Sequence, residues 1–171
     1  MRFVSSLATV LLLLAAACSG GSSDPASQTA AGCEELSAFS PDTVAVKFTT
    51  AAGSTERLTT QLADTREERA QGLMNRNCLP SDEGMLFAYH GDSTEAYWMK
   101  DTPLPLTIAF IQADGVIVSI EDMQPETTNT HGPTQPYRYA VEANQGWFAQ
   151  NGVAVGDKAD IHPAISEGAQ D

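Results

Sequence analysis

Val44, Val46 and Phe48 alternate with Ala45, Lys47 and Thr49. Apolar side chains on every second position mark a strand with one face turned to a core. Ala51-Ala52-Gly53-Ser54 reads as a turn. Leu58 and Leu62, with Thr59, Thr60 and Gln61 between them, suggest a second strand that pairs with the first. The texture then changes. Thr65 followed three residues later by Glu68 is a capping-box pattern. It predicts a short helix over Arg66 to Met74, with Ala70, Leu73 and Met74 turned inward and Gly72 as a weak point. Asn75 to Glu83 reads as a loop around Cys78 and Pro80.

Gly84 to Tyr89 is a continuous apolar run, expected as a buried strand that His90-Gly91-Asp92-Ser93 breaks. Ala96 to Met99 is expected as another strand. Alternation there puts Tyr97 and Met99 on one face, Trp98 and Lys100 on the other. Thr102-Pro103-Leu104-Pro105 is a stiff connector, because each proline fixes its own φ and restricts the residue before it. Leu106 to Gln112 and Val116 to Glu121 flank Ala113-Asp114-Gly115 and form the clearest hairpin in the chain. Pro125 to Pro136 is a long polar loop, and Arg138 to Ala143 returns as a strand. Gly146 to Gly152 resembles one helical turn stopped by glycine, and Lys158 to His162 is a closing strand. Seven or eight short strands with one real helix predict a mainly β fold. The expected form is a jelly-roll-like β-sandwich or a partly closed barrel with one or two short helices.

The N-terminal pattern is different. Arg2 precedes an apolar run made by Phe3, Val4, Leu7 and Val10 to Ala17. The run is too short for a spanning helix, which needs about 20 apolar residues, and reads as a secretion signal over residues 1–17. Ala15-Ala16-Ala17-Cys18 fits a lipoprotein cleavage site, although Ala15 stands where Leu is commoner. Cys18 is therefore the expected lipid-modified first residue of the mature chain. The competing reading is an ordinary signal cut at the small residues. Residues 18–32 are rich in Gly, Ser, Ala and Pro, a composition that cannot offset its ordering entropy and suits a tether. Residues 33–163 then form one domain and 164–171 a tail. The expected location is the cell envelope, on its periplasmic or extracellular face.

Charge narrows the partners. The formal net charge of −13 opposes nucleic acid and anionic membrane surfaces, so membrane contact is expected only through the lipid anchor. The same charge attracts cations weakly. With Cys18 lipidated, Cys33 and Cys78 remain. An oxidising compartment favours their pairing, which would stabilise the fold by about 4 kcal/mol on the chain-entropy argument. Two free buried thiols are the alternative.

Five stretches carry a resemblance: Glu68-Arg69-Ala70-Gln71-Gly72-Leu73-Met74-Asn75-Arg76, Asp82-Glu83-Gly84-Met85-Leu86-Phe87, Trp98-Met99-Lys100, Pro105-Leu106 with Ile108-Ala109-Phe110-Ile111, and Gly146-Trp147-Phe148. In this order the chain resembles the bacterial and archaeal family called domain of unknown function 192, from about Val44 to His162. The resemblance implies a small, mainly β, jelly-roll-like domain and no activity. Thr107 stands where the family usually has an acidic residue, and Asp101 replaces the usual Asn.

Candidate chemistry follows from what these stretches carry. Trp98, Lys100 and Asp101, with Glu83, could line a pocket for a small ligand or glycan. A core Trp with a solvated ion pair at its edge is the plainer alternative. Met74, Met85, Met99 and Met123 could ligate Cu(I), aided by His90, His131 or His162, but their wide spacing favours gap-filling in a core. Glu83, Glu121 and Asp122 lie beside apolar strands and could converge for acid–base work. Trp147-Phe148 reads as a hydrophobic plug. The chain has no nucleophile elbow, zinc spacing, phosphate-binding glycine loop or EF-hand loop, so no cofactor is expected. The leading expectation is a ligand-binding or interaction module whose partner is a small molecule or an envelope protein. An envelope enzyme using Glu83, Lys100 or Asp101 is the alternative, and a Met-based copper-handling protein comes third.

Overall fold

The structure is a computed structural model that describes Cys33 and residues 42–161. The expected signal with Cys18, the expected tether, His162 and the expected tail lie outside the described residues. Seven strands and two short helices run in the order β1 (Thr43–Thr49), β2 (Thr55–Ala63), α1 (Arg66–Gln71), β3 (Glu83–Ser93), β4 (Leu106–Ile111), β5 (Ile117–Met123), β6 (Tyr137–Asn144), α2 (Trp147–Gln150) and β7 (Lys158–Asp160). They form one sheet ordered β5-β4-β6-β3-β2-β1-β7. Neighbours are antiparallel except β2 and β3, which run parallel and are joined through α1.

The sheet curls until its two edges meet at one end. Val116 bridges Lys158, and the Ala159 N–H donates to the Gly115 carbonyl at 2.8 Å. Gly115 makes this approach possible. Its φ is +86°, and a Cβ there would sit 2.4 Å from the Ala159 carbonyl oxygen. The result is the partly closed barrel that the strand count suggested.

Each strand alternates, so the sheet has two apolar faces. The inner face draws on all seven strands, with Val46, Phe48, Leu58, Leu86, Ile111, Ile117, Val141 and Ala159 buried together. Trp147 and Phe148 close it. Phe48 packs against them at ring-centroid distances of 5.7 and 5.5 Å. The outer face gathers Met85, Phe87, Tyr89, Leu106, Ile108, Phe110, Met123, Tyr137 and Ala140, covered by Leu73, Leu79, Met99 and Leu104 from connecting segments.

Three expected elements take a different form. The helix ends at Gln71 rather than Met74, because Gly72 turns the chain at φ +46°. Ala70 is exposed, and Leu73 reaches the core from beyond the helix. α1 buries no residue and relies on its capping box, in which the Glu68 N–H donates to Thr65 Oγ1 and the Thr65 N–H to Glu68 Oε2. β3 runs through His90 to Ser93 instead of stopping at Tyr89, absorbing them in a register shift against β6. Ala96 to Met99 forms no strand. Only Tyr97 pairs, with His131, and the segment otherwise follows the polar loop. Its expected alternation survives, with Met99 buried and Trp98 and Lys100 exposed.

The structure joins Cys33 to Cys78 in a disulfide with Cα atoms 5.8 Å apart. The bond ties the start of the domain to the loop before β3.

Candidate functional site

The outer face is incompletely covered. Between α1 and the segment around Tyr97 lies a cleft of about 520 Å³. α1 and the turn after it supply Arg66, Arg69, Ala70, Gln71, Gly72, Leu73 and Met74. β3 supplies Phe87 and Tyr89, the opposite wall Glu95, Ala96, Tyr97, Trp98 and Thr102, and β6 supplies Glu142.

Glu142 is the unusual member. Strand parity sets it on the outer face with Ala140, between Met85 of β3 and Ile108 of β4. It is 4% exposed, and that remainder opens on the cleft. Its carboxyl makes no hydrogen bond among the described residues. Removal from water penalises the anion, so burial pushes its pKa up to about 8. Glu142 is thus mainly a neutral acid at neutral pH. Gly84 fits the backbone here. A Cβ at that position would lie 2.3 Å from the Glu142 carbonyl oxygen, so no other residue lets β3 and β6 approach this closely.

The wall beside Glu142 is aromatic and hydrogen-bonded. Tyr97 packs edge-on to Phe87 and Phe110 with centroids 4.9 and 5.7 Å away. The Tyr89 and Tyr97 hydroxyls lie 2.9 Å apart, and the Tyr89 hydroxyl also donates to Glu95 Oε2 at 3.2 Å. The Tyr137 hydroxyl donates to the Glu95 carbonyl at 2.8 Å. Burial chiefly, with the neighbouring phenols and Glu142 adding to it, holds the Tyr97 phenol well above its ordinary pKa. Reciprocal 2.8 Å bonds between Tyr97 and His131 fix this wall, and His131 Nδ1 lies 3.2 Å from Glu121 Oε2.

Two arginines stand opposite. The Arg69 Nη1 donates to the Asp64 and Ala88 carbonyls at 2.7 and 3.1 Å, and its guanidinium lies 4.4 Å from the Tyr89 ring centre. Arg66 lies at the exposed end of the same wall and makes no hydrogen bond or ion pair among the described residues. The cleft therefore runs from a cationic rim, past aromatic walls, to a carboxyl floor.

Of the expected binding residues, only Trp98 lines this cleft; it is 49% exposed. Lys100 and Asp101 pair with each other at 3.1 Å outside it. Asp101 also holds the turn. Its φ is +54°, a conformation that Asp and Asn tolerate, and its carbonyl accepts the Asn75 N–H at 2.7 Å. Glu83 sits at the start of β3, where its charge partly counters the burial that lowers the Arg76 pKa. The four carbon-rich thioethers are not gathered at one opening. Met85, Met99 and Met123 are buried in the outer core, whereas Met74 lines the cleft. No cluster of three or more His, Cys, Asp or Glu suited to a metal occurs among the described residues. Thr107 Oγ1 donates to Asp122 at 2.6 Å and accepts the Gly146 N–H at 2.8 Å, a junction in which an acidic side chain would oppose Asp122.

Sequence reasoning missed Glu142, Arg66, Arg69 and Tyr89. The signal for Glu142 was present: in Ala140-Val141-Glu142-Ala143 it shares its face with a buried alanine on a strand apolar on both sides.

Comparison with known proteins bears on the whole domain. Residues 47–161 match domain of unknown function 192, described as an uncharacterized ACR. A Sinorhizobium meliloti 1021 protein provisionally named a transcription regulator is 36% identical, with a TM-score of 0.68 over 70% of this chain and 94% of that one. A Novosphingobium aromaticivorans DSM 12444 protein of unknown function is 31% identical, with a TM-score of 0.66 over 69% of this chain and 84% of that one. No curated protein matches. The chain belongs to the domain of unknown function 192 family.

Proposed function

We propose that this protein is an exported, lipid-anchored binding module that holds a small molecule in the cleft between α1 and the outer face of the sheet. The observation that carries this reading is a convergence. Three of the five stretches that define the resemblance, around Arg69, Phe87 and Trp98, meet at the cleft, and its floor is a buried carboxyl without a partner. Buried polar groups are ordinarily satisfied, so an unsatisfied one facing a cavity suits a ligand group. The name of the Sinorhizobium protein is not carried over, because a chain of net charge −13 is poorly suited to phosphate backbones.

An enzyme is the second reading. Glu142, kept neutral, has the form of a general acid, and Glu95 in the same cleft is a second carboxylate. The binding reading is preferred because no side chain hydrogen-bonds Glu142 to orient a proton transfer.

The test incubates the full chain with small molecules extracted from the host's cell envelope, removes unbound material and identifies what is retained by mass spectrometry. Wild-type protein should retain one or a few compounds that a Trp98→Ala/Glu142→Gln double variant loses. Retention of nothing, or equal retention by the variant, contradicts the reading. Conversion of a compound during incubation supports the enzyme instead.

A further inference from the structure

We infer that the molecule held in the cleft carries both an ammonium and a carboxylate, with the nitrogen seated at Glu142 and the acid at Arg66. The inference rests on the binding reading above and adds the chemistry of the ligand. Four observations carry it.

The floor comes first. Glu142 is 4% exposed, has no hydrogen bond among the described residues and faces the cleft. An ionised carboxyl is an acceptor only, so the group that best satisfies it in a dry setting is a charged donor. The walls point the same way. Phe87 and Tyr97 border the floor, and aromatic rings attract cations. The rim is opposite in sign. Arg66 makes no hydrogen bond or ion pair among the described residues, and a guanidinium suits a carboxylate in two-point contact. Finally, the net charge of −13 repels a bare anion at long range, whereas a molecule with one charge of each sign carries no net charge to be repelled. The cleft volume of about 520 Å³ is that of a small-molecule site.

Binding then moves a proton in a defined direction. Burial holds Glu142 largely protonated below a pKa of about 8. Contact with an ammonium ionises it, and the carboxyl proton leaves to solvent. The titratable and charged groups lining the same cleft are Arg66 and Arg69 from α1, Tyr89 from β3, and Glu95 and Tyr97 from the far wall. Its strand neighbours Met85 and Ile108 carry no charge. The competing chemistry, a neutral Glu142 donating to a ligand carboxylate, takes a proton up instead. The two therefore differ in sign.

Titration calorimetry of the full chain at pH 8, in two buffers of different ionisation enthalpy, separates them. The probes are the twenty free L-amino acids, each with its des-amino acid and its decarboxylated amine as single-ended controls. At least one amino acid should bind with release of a fraction of a proton, and its controls should bind at least tenfold more weakly. Arg66→Ala should cost at least tenfold in affinity and keep the proton release. Glu142→Gln should cost at least tenfold and abolish it. A des-amino acid that binds as tightly with proton uptake, or an amine that binds as tightly as its amino acid, overturns the inference. If no amino acid binds, the envelope extract decides. A retained compound carrying both groups supports the inference. One lacking either group overturns it and leaves the binding module standing. Retention of nothing overturns both.

Discussion

The inner and outer faces of this sheet use alternate residues of the same strands, yet they finish differently. The inner face is sealed. All seven strands contribute, α2 inserts Trp147 and Phe148, and Phe48 packs against both. The outer face carries more large aromatics but is roofed by loops and by a helix that buries none of its residues. On that side a carboxyl sits where a methyl group would pack. On the proposed reading, the difference divides stability from binding. Apolar closure on one side supplies cohesion that an open, polar-floored cleft on the other can draw on.

Substitutions on the two faces should behave oppositely. The largest effect is expected at Phe148. Phe148→Ala opens the inner core and should cost about 3–5 kcal/mol in chemical denaturation, while any folded fraction keeps the cleft. Glu142 is next. An acid whose pKa is raised on folding binds its proton more tightly in the folded state than in the unfolded state. Its contribution is therefore complete below the ordinary carboxylate range near 4.5 and is lost as pH rises to about 8. Wild-type stability should fall by a few kcal/mol across that window, and Glu142→Gln should flatten the fall. If both proteins show the same slope, the carboxyl is not where the account puts it. Glu142→Met should leave stability at neutral pH unchanged or raise it by about 1 kcal/mol, because it replaces an unpartnered polar group with an apolar one of similar size.

Trp98→Ala should shift stability by less than about 0.5 kcal/mol, since the ring is half exposed, and yet weaken ligand retention. The smallest effect belongs to Lys100→Ala. It removes an exposed ion pair beyond the cleft and should change neither melting temperature nor retention measurably.

Much of the fold was legible because its signals are local. The β4–β5 hairpin shows in apolar runs around Asp114-Gly115, and α1 in the spacing of Thr65 and Glu68. Elements failed where tertiary contacts decide. β3 passes through His90-Gly91-Asp92-Ser93 because β6 offers a partner beyond the bulge, whereas Ala96–Met99 gains one bridge, Tyr97 to His131, and a single bond from the Met99 N–H to the Thr127 carbonyl. The cleft was legible at Trp98 alone. Lys100, Asp101 and Glu83 are near Trp98 or its family stretches in sequence, but the positive-φ turn at Asp101 and the start of β3 carry them elsewhere. Glu142 is distant in sequence from every other cleft residue and arrives by strand pairing. An odd charge in phase with buried residues was its only local mark.

The account turns on the state of that carboxyl. Carbon-13 NMR of glutamate side-chain carboxyls, titrated from pH 4 to 10 with Glu142→Gln to assign the resonance, measures it directly. The account predicts a midpoint of about 8 for Glu142 in the free protein. A midpoint in the ordinary range of about 4 to 5 would show a solvated or paired carboxylate and contradict the account.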